Sequence, residues 1–197
     1  MSNYDKLHNY YDLIFEFLLG FGHRLAIKAL HFEPGFKVLE VGTGTGLTLP
    51  LYPKTVDVHG VDLSANMLKQ AQIRLHKEGL KNVTLHQMNA ETLGFPDNTF
   101  DRINAPSIFS VLPHPEIAME ELIRVCKPGG YICIVSHFEG ESRATRAIDV
   151  VFGPVVKPLF NTDMKRDFVE KNPRVTVLLK KSVLPLNFST LYLLQKN

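Results

Sequence analysis

A glycine-rich segment preceded by a carboxylate is the first part of the chain whose residue types are suited to chemistry. It spans residues 40–46 (EVGTGTG) and follows an apolar run that begins at Val38. Glycines at such a place let the backbone turn tightly and let a ligand approach main-chain N–H groups without Cβ atoms in the way. The dinucleotide fingerprint G-x-G-x-x-G would need a glycine where Leu47 stands, so the spacing departs from that fingerprint.

Polar residues also end the next two apolar runs. Asp62 lies 20 residues after Gly42, at a place where a carboxylate can accept hydrogen bonds from both ribose hydroxyls of a nucleoside. Asn89 ends the following run and is followed by Ala90 and Glu91. An asparagine at a strand end can pair with an adenine edge, and it can equally cap its own backbone in a turn.

A parallel sheet is the element that would bring these positions together. Short β-branched runs alternate with helical patterns through the middle of the chain, which is typical of βα units. Ser64 is a suitable N-cap and Gly79 a suitable stop for one helix, and residues 127–130 (KPGG) predict a turn into the next strand. The predicted strands are 37–42, 56–62, 83–88, 102–105, 131–138, 174–181 and 187–195, and the predicted helices are 46–52, 65–78, 116–126 and 143–160.

Composition indicates an ordinary globular domain. The 197 residues are 45% hydrophobic and 21% charged, a length and balance that fit one domain with a substantial core. The two cysteines, Cys126 and Cys133, are too few for a disulfide framework and predict reduced core thiols in the cytoplasm. The apolar stretch 13–22 is about half the ~20 residues that a membrane-spanning helix needs. We therefore expect a protein that is neither secreted nor integral to a membrane.

Charge is distributed unevenly along the chain. The net charge is +2 overall, but it is 0 over residues 1–30, −3 over 31–139 and +5 over 140–197. A basic C-terminal third suggests attraction to anions such as phospholipid head groups, nucleic acid or an acidic substrate. A solvated basic face without a partner fits the charge alone equally well.

Four motifs in order resemble those of the class I S-adenosylmethionine-dependent methyltransferases. They are Val38–Gly46, Gly60–Ser64 with Met67, Asn89–Glu91 and Arg124–Gly130. The resemblance covers residues 37–138 and implies an α/β fold: a Rossmann-like, doubly wound, mostly parallel seven-stranded sheet with an antiparallel last strand. It also implies S-adenosylmethionine as cofactor, S-adenosylhomocysteine as product and no metal.

The same resemblance implies a role for each matching position. Glu40 would lie near the methionine amino end, acting through the loop or a water molecule. Asp62 would bind the ribose hydroxyls, and Leu63 and Met67 would flank the adenine. Asn89 stands where many relatives have aspartate, and its amide can still offer an acceptor to the adenine amine. The full set of expected cofactor-binding residues is Glu40, Gly42, Thr43, Gly44, Gly46, Asp62, Leu63, Met67, Asn89, Ala90 and Glu91.

Shorter motifs look like those of the soluble bacterial phosphatidylethanolamine N-methyltransferases. They are Tyr10–Phe15, Leu49–Pro53 and Ser136–Phe138, and they are shared in part with ubiquinone and menaquinone C-methyltransferases. The likeness implies stepwise methylation of phosphatidylethanolamine toward phosphatidylcholine by a monomer. The enzyme would be cytoplasmic and peripheral on the inner face of the cytoplasmic membrane, with no nucleic acid and no obligate protein partner.

Three residues are candidates for the catalytic step on an ethanolamine amine. His137, at the end of the predicted fifth strand, could orient or deprotonate the amine, or it could be a rim histidine without a chemical role. Tyr10 and Tyr11 could hold the sulfonium and the methylated ammonium by cation–π attraction. One of the two tyrosines could instead fasten an N-terminal helix to the core.

A lipid substrate also needs an apolar surface and cations for its phosphate. Residues 1–30 are expected to form an amphipathic helical lid, 37–138 the cofactor-binding core, and 139–197 a substrate- and membrane-facing helix with a final hairpin. Arg143, Arg146 and Lys157 are the expected phosphate contacts. Both terminal helices could also simply cover the sheet.

Three other functions remain open. A quinone-precursor C-methyltransferase would share the same core. A nucleic-acid methyltransferase fits less well, because residues 104–107 (NAPS) only partly match the Asn/Asp-Pro-Pro-aromatic motif and no RNA-binding module is present. A non-catalytic cofactor- or lipid-binding protein of the same fold would also keep the glycine segment and Asp62.

Overall fold

A computed structural model of the protein describes residues 21–136, 167–183 and 189–197. Its strands are β1 Lys37–Val41, β2 Asp57–Asp62, β3 Val83–Gln87, β4 Phe100–Pro106, β5 Cys126–Ser136, β6 Val175–Val183 and β7 Ser189–Lys196. Its helices are α1 over residues 21–29, α2 Ala65–Glu78, α3 Pro115–Val125 and the single turn α4 Asp167–Glu170, with 3-10 turns at Leu49–Leu51 and Phe109–Val111.

The strands form one seven-stranded sheet in the order β3-β2-β1-β4-β5-β7-β6. Strands β1 to β5 are parallel to one another, whereas β7 is antiparallel to both β5 and β6. This topology confirms the α/β class, the mostly parallel seven-stranded sheet and the antiparallel last strand. Because β1, β2 and β4 run in the same direction, their carboxyl ends meet at one edge of the sheet.

Helices cover both faces of the sheet, so the fold is doubly wound. Leu39 and Ile103 belong to a core cluster that includes α3, whereas the adjacent Val38 belongs to a cluster that includes α2. Alternate residues of a strand point to opposite faces, so α3 and α2 lie on opposite sides. Each leucine that is fully buried in this way, such as Leu122 of α3, stabilises the fold by about 1.5–3 kcal/mol.

The predicted caps of α2 are both present. The Ser64 hydroxyl accepts a hydrogen bond from the Met67 N–H at 3.3 Å, and Gly79 ends the helix in the left-handed conformation at φ +63°. A glycine adopts this conformation without the steric cost that a Cβ brings. Helix α2, which follows β2, therefore begins and ends at the residues expected from the sequence.

The helix predicted at 46–52 is wrong, because only the 3-10 turn Leu49–Leu51 forms there. Gly46 is left-handed at φ +77°, and Pro50 has no N–H for a helical hydrogen bond. Pro53 favours an extended residue before it, and Tyr52 is extended at ψ 141°. The chain leaves the helical region at Gly46 and again at Tyr52, so only the short turn between them forms.

The predicted turn at 127–130 is part of the span of β5. Cys126 pairs with Phe100 and Tyr131 pairs with Arg102, so four residues of β5 stand opposite a single residue of β4. The strand thus begins five residues earlier than predicted, and residues 127–130 form a large irregular bulge within it. Cys126 and Cys133 of this strand are buried, and neither forms a disulfide, as expected. Burial raises the pKa of the Cys126 thiol to about 12.

Arg102 fastens the end of α1 to the sheet. Its Nε donates to the carbonyl oxygens of Leu30 at 2.6 Å and His31 at 3.3 Å. Its guanidinium lies 4.6 Å from the ring centre of Phe36 and 4.3 Å from that of Tyr131. Carbonyls at a helix end lack helical partners, so a cation there satisfies them.

Part of the sequence-based description falls on residues that the structure does not describe. The lid expected over residues 1–30 is described only from residue 21 onward, where Ala26 of α1 and Leu30 directly after it pack on β5 and β7. The helix expected at 143–160 and the turn containing Pro185 lie outside the described residues. In the described parts, no helix is long and apolar enough to cross a membrane.

Candidate active site

A cavity of about 450 Å³ lies at the carboxyl edge of the sheet. One wall follows β1 and β2 from Gly42 to Met67, and the other follows the segments after β3 and β4. Eight of the expected cofactor-binding residues line it: Gly42, Gly44, Asp62, Leu63, Met67, Asn89, Ala90 and Glu91. A cavity of this size is in the usual range for a small-molecule or cofactor site.

Asp62 is fixed in the cavity wall by two backbone groups. One carboxylate oxygen accepts from the Gly44 N–H at 2.8 Å, and the other accepts from the Ser64 N–H at 2.8 Å. Each carboxylate oxygen has more than one acceptor position, so both can still receive a hydroxyl proton. The geometry suits recognition of a vicinal diol, which is the role predicted for Asp62.

The glycine segment turns tightly because its glycines are left-handed. At Gly42, with φ +78°, a Cβ would lie 2.9 Å from the Cβ of Ile108. At Gly46, with φ +77°, a Cβ would lie 2.9 Å from Leu49. Gly42 therefore keeps the cavity open beside Ile108, whereas Gly46 does not line the cavity and serves the packing behind it.

Glu40 lies behind the glycine segment and does not line the cavity. Its side chain is fully buried, and it accepts hydrogen bonds from the hydroxyls of Thr48 and Tyr52, each at 2.6 Å. Asn104 donates to Tyr52 at 2.8 Å and lies 3.4 Å from Glu40. Burial raises the pKa of Glu40 to about 7 despite these hydrogen bonds. Contact of Glu40 with the methionine end of the cofactor, through the loop or a water molecule, stays a prediction.

Thr43 is the third expected residue outside the cavity lining. It is buried, and its hydroxyl donates to the Glu40 carbonyl oxygen at 3.2 Å. Its N–H and that of Gly42 both donate to the Val61 carbonyl oxygen, at 3.0 and 2.8 Å. Thr43 thus holds the glycine segment against β2.

Large apolar side chains line the same cavity as Asp62 and come from both of its walls. Leu63 and Met67 lie on one side, and Val111 and Leu112 on the other. Leu63 is 66% exposed and Val111 is 48% exposed. Large apolar side chains with that much exposure at a cavity rim are suited to sandwich a flat ring.

Asn89 and Glu91 shape the same end of the cavity through hydrogen bonds of their own. The Asn89 side-chain oxygen accepts from the Glu91 N–H at 2.9 Å, which is the backbone-capping alternative considered for this residue. The Glu91 carboxylate accepts from the His114 N–H at 2.9 Å. His114 is the N-cap residue of α3, so Glu91 joins the segment after β3 to the start of that helix.

The loop that carries these residues is fastened to α3. The Leu93 N–H donates to Glu121 at 2.7 Å, and Arg124 donates to the carbonyl oxygens of Leu93 and Phe95, each at 2.8 Å. Arg124 also pairs with Glu121 at 2.7 Å and holds the pKa of that carboxyl below its usual range. This charged network positions the loop from outside the cavity.

The predicted catalytic and phosphate-binding residues are not placed by the structure. His137, Tyr10 and Tyr11 lie outside the described residues, and so do Arg143, Arg146 and Lys157. Their roles stay predictions. Across residues 21–136, 167–183 and 189–197, no group of three histidine, cysteine or acidic side chains could hold a metal ion.

Two polar residues near the cavity were not singled out from the sequence. Ser107 follows the last residue of β4, and His23 of α1 lies beside it. The partial NAPS motif at 104–107 was a signal for Ser107. His23 gave no signal, because it is a lone histidine in a largely apolar stretch.

Comparisons with known proteins agree with this geometry. Residues 39–134 match a family model described as a methyltransferase domain. The chain is 39% identical over 153 residues to a phosphatidylethanolamine N-methyltransferase of Cereibacter sphaeroides, covering 77% of this chain and 75% of the relative. It is 27% identical over 176 residues to a demethylmenaquinone methyltransferase of Anoxybacillus flavithermus, covering 85% and 74%. A crystal structure of a SAM-dependent methyltransferase from Aquifex aeolicus matches with TM-score 0.70 and 22% identity, covering both chains completely.

The chain belongs to the class I S-adenosylmethionine-dependent methyltransferases, and its cofactor is S-adenosylmethionine. The described residues fit that cofactor. Asp62 offers a fixed acceptor for a ribose, Leu63 and Val111 offer apolar faces for a purine, and Gly42 leaves room where a Cβ would meet Ile108. The bound cofactor supplies an electrophilic methyl group on a sulfonium.

Proposed function

We propose that this methyltransferase methylates the ethanolamine amine of phosphatidylethanolamine, stepwise toward phosphatidylcholine, at a membrane surface. The observation that carries the proposal is the 39% identity to the Cereibacter sphaeroides phosphatidylethanolamine N-methyltransferase over three quarters of both chains. The short motifs at 10–15, 49–53 and 136–138 support the same substrate.

The described residues supply orientation, which is the main requirement of a methyl transfer. The nucleophile must approach in line with the bond that breaks, and holding reactants in such a geometry can lower a barrier by about 7–11 kcal/mol. The Asp62 carboxylate, held by Gly44 and Ser64, and the glycine segment, held to β2 at Val61, form a rigid frame for the donor.

The amine must lose its charge before it can react. An alkylammonium resembles a lysine side chain, whose ordinary pKa is about 10.4, so the site has to favour the neutral form by desolvation or a nearby acceptor. Apolar residues around the cavity, among them Ile108 and Leu112, favour desolvation. His137 and the two N-terminal tyrosines remain the proposed contacts for the head group.

A membrane-bound substrate is supported by the charge of the C-terminal third of the chain. The net charge of +5 over residues 140–197 suits an anionic bilayer, with Arg143, Arg146 and Lys157 as proposed phosphate contacts. We propose that the protein works as a monomer at the inner face of the cytoplasmic membrane, without a protein or nucleic-acid partner.

The second candidate is carbon methylation of a quinone precursor. It is favoured by the 27% identity to the Anoxybacillus flavithermus demethylmenaquinone methyltransferase, which covers 85% of this chain. The described cavity residues serve the cofactor and would be the same for either acceptor. A direct comparison of acceptors therefore decides between the two.

The test uses purified full-length protein and S-adenosylmethionine labelled in the methyl group. Vesicles of phosphatidylethanolamine with anionic lipid, and vesicles carrying demethylmenaquinone, are incubated separately and their lipids are separated. Label in mono-, di- and trimethylated phosphatidylethanolamine supports the proposal, and label only in the quinone overturns it. Asp62→Asn should abolish most label, whereas Asp57→Asn at the other end of β2 is the matched control that should retain it.

A further inference from the structure

Ser107 is held in a backbone conformation that serine rarely adopts. Its φ is +60°, in the left-handed region where a residue with a Cβ is disfavoured relative to glycine. Two other non-glycine residues of the described chain share this feature, His31 at φ +46° and Asn98 at φ +54°. None of the three lines the cavity itself, but Ser107 directly precedes Ile108, which does. Strained residues persist where surrounding structure holds them, and they cluster at functional sites.

Ser107 adjoins the glycine end of the cavity. The next residue, Ile108, lines the cavity and lies so close to Gly42 that a Cβ there would be 2.9 Å away. The Ser107 N–H donates to the Val135 carbonyl oxygen at 2.7 Å, so β5 fixes the backbone of Ser107. Its side chain is only partly buried and remains accessible.

His23 stands beside the Ser107 hydroxyl, with Nε2 3.5 Å from Oγ. The helix is closely seated here, because a Cβ at Gly22 would meet Val135 at 3.2 Å and Val183 at 3.3 Å. Burial lowers the pKa of His23 to about 4, and no charged side chain of the described residues contributes to that change. The imidazole is therefore neutral at neutral pH and adds no positive charge to a site that receives a sulfonium and an amine.

We infer that the Ser107 hydroxyl, oriented by His23, accepts a hydrogen bond from an N–H of the acceptor amine beside the glycine segment. The inference rests on the proposed function and names one contact that would select an amine. When Nε2 of His23 accepts the hydroxyl proton, the serine oxygen presents its lone pairs to the substrate. Ser107 is the substrate contact, and His23 is a positioning residue.

Ser107→Gly tests the inference without endangering the fold, because glycine is favoured at positive φ. We expect an unchanged or higher Tm, unchanged affinity for S-adenosylhomocysteine, and a KM for phosphatidylethanolamine raised about tenfold or more. Binding of glycerophosphoethanolamine in the presence of S-adenosylhomocysteine, measured by calorimetry, should weaken by a similar factor. His31→Gly relieves the same kind of strain away from the cavity and should leave both values unchanged.

His23→Leu tests the positioning role separately. We expect a smaller rise in KM than in Ser107→Gly, and no further rise when the two substitutions are combined. A Ser107→Gly enzyme with the wild-type KM, or one that loses cofactor affinity as well, would overturn the inference. If the wild type methylates no phosphatidylethanolamine, the proposed function fails, and calorimetry with the amine probe still decides whether Ser107 binds it.

Discussion

Glu40→Gln should change how the stability of the fold depends on pH. Burial raises the pKa of the Glu40 carboxyl from its ordinary 4.5 to about 7 in the folded protein. The folded state therefore binds this proton more tightly than the unfolded state. The resulting stabilisation is fully present below pH 4.5 and is lost as the pH rises through 7, which amounts to about 3 kcal/mol in total.

Glutamine at position 40 keeps the shape of the side chain and does not titrate. The difference in free energy of unfolding between wild type and Glu40→Gln should therefore move by about 2.5 kcal/mol in favour of the variant between pH 5 and pH 8. Urea unfolding followed by far-ultraviolet circular dichroism measures it, since the chain has no tryptophan. As a control, the free energy of unfolding should fall with urea concentration at the same slope in both proteins, which shows that both undergo the same unfolding reaction. A difference that stays constant from pH 5 to pH 8 would refute the buried, proton-binding role of Glu40.

Three further perturbations test the site. Asp62→Asn should weaken S-adenosylhomocysteine binding at least tenfold in calorimetry, because a charged acceptor is lost, whereas Asp57→Asn should bind normally. Gly42→Ala should abolish that binding, because its Cβ would meet Ile108 at 2.9 Å and its φ is +78°; normal affinity would show that the segment moves freely. The lowered pKa of His23 means that its own contribution to stability falls by about 2 kcal/mol between pH 7 and pH 5, opposite in sign to that of Glu40. The free energy of unfolding of His23→Leu relative to wild type should therefore rise by about 2 kcal/mol over that range in urea unfolding, and a constant difference would contradict the burial of a neutral imidazole.

The parts of the fold that follow local patterns were predictable from the sequence. The first three strands lie within a residue of the expected ends, and Ser64 and Gly79 cap α2 as expected, because alternation and capping depend on neighbouring residues. The helix predicted at 46–52 does not form, because two prolines and a left-handed glycine interrupt the apolar pattern on which the prediction depended. The start of β5 was predicted too late in the sequence, because its first pair, Cys126 with Phe100, joins residues far apart in the sequence.

The candidate site, like the fold, was predictable from the sequence only in part. The resemblance named Asp62, and the structure places it in the cavity wall. The enclosure of Glu40 could not be predicted, because it depends on Asn104, 64 residues away, and on a turn that only the folded chain forms. The backbone conformation of Ser107 is also invisible in the sequence, since it results from contacts with β5.

Expression in a bacterium that makes phosphatidylethanolamine but no phosphatidylcholine tests the central claim most directly. Mass spectrometry of the extracted lipids would be compared between cells that carry the wild type and cells that carry Asp62→Asn at equal protein levels. The proposed function predicts mono-, di- and trimethylated phosphatidylethanolamine in the wild-type cells and almost none with the variant. An unchanged lipid profile in the wild-type cells would contradict it. The control is that wild-type protein taken from the same cells is folded and binds S-adenosylhomocysteine.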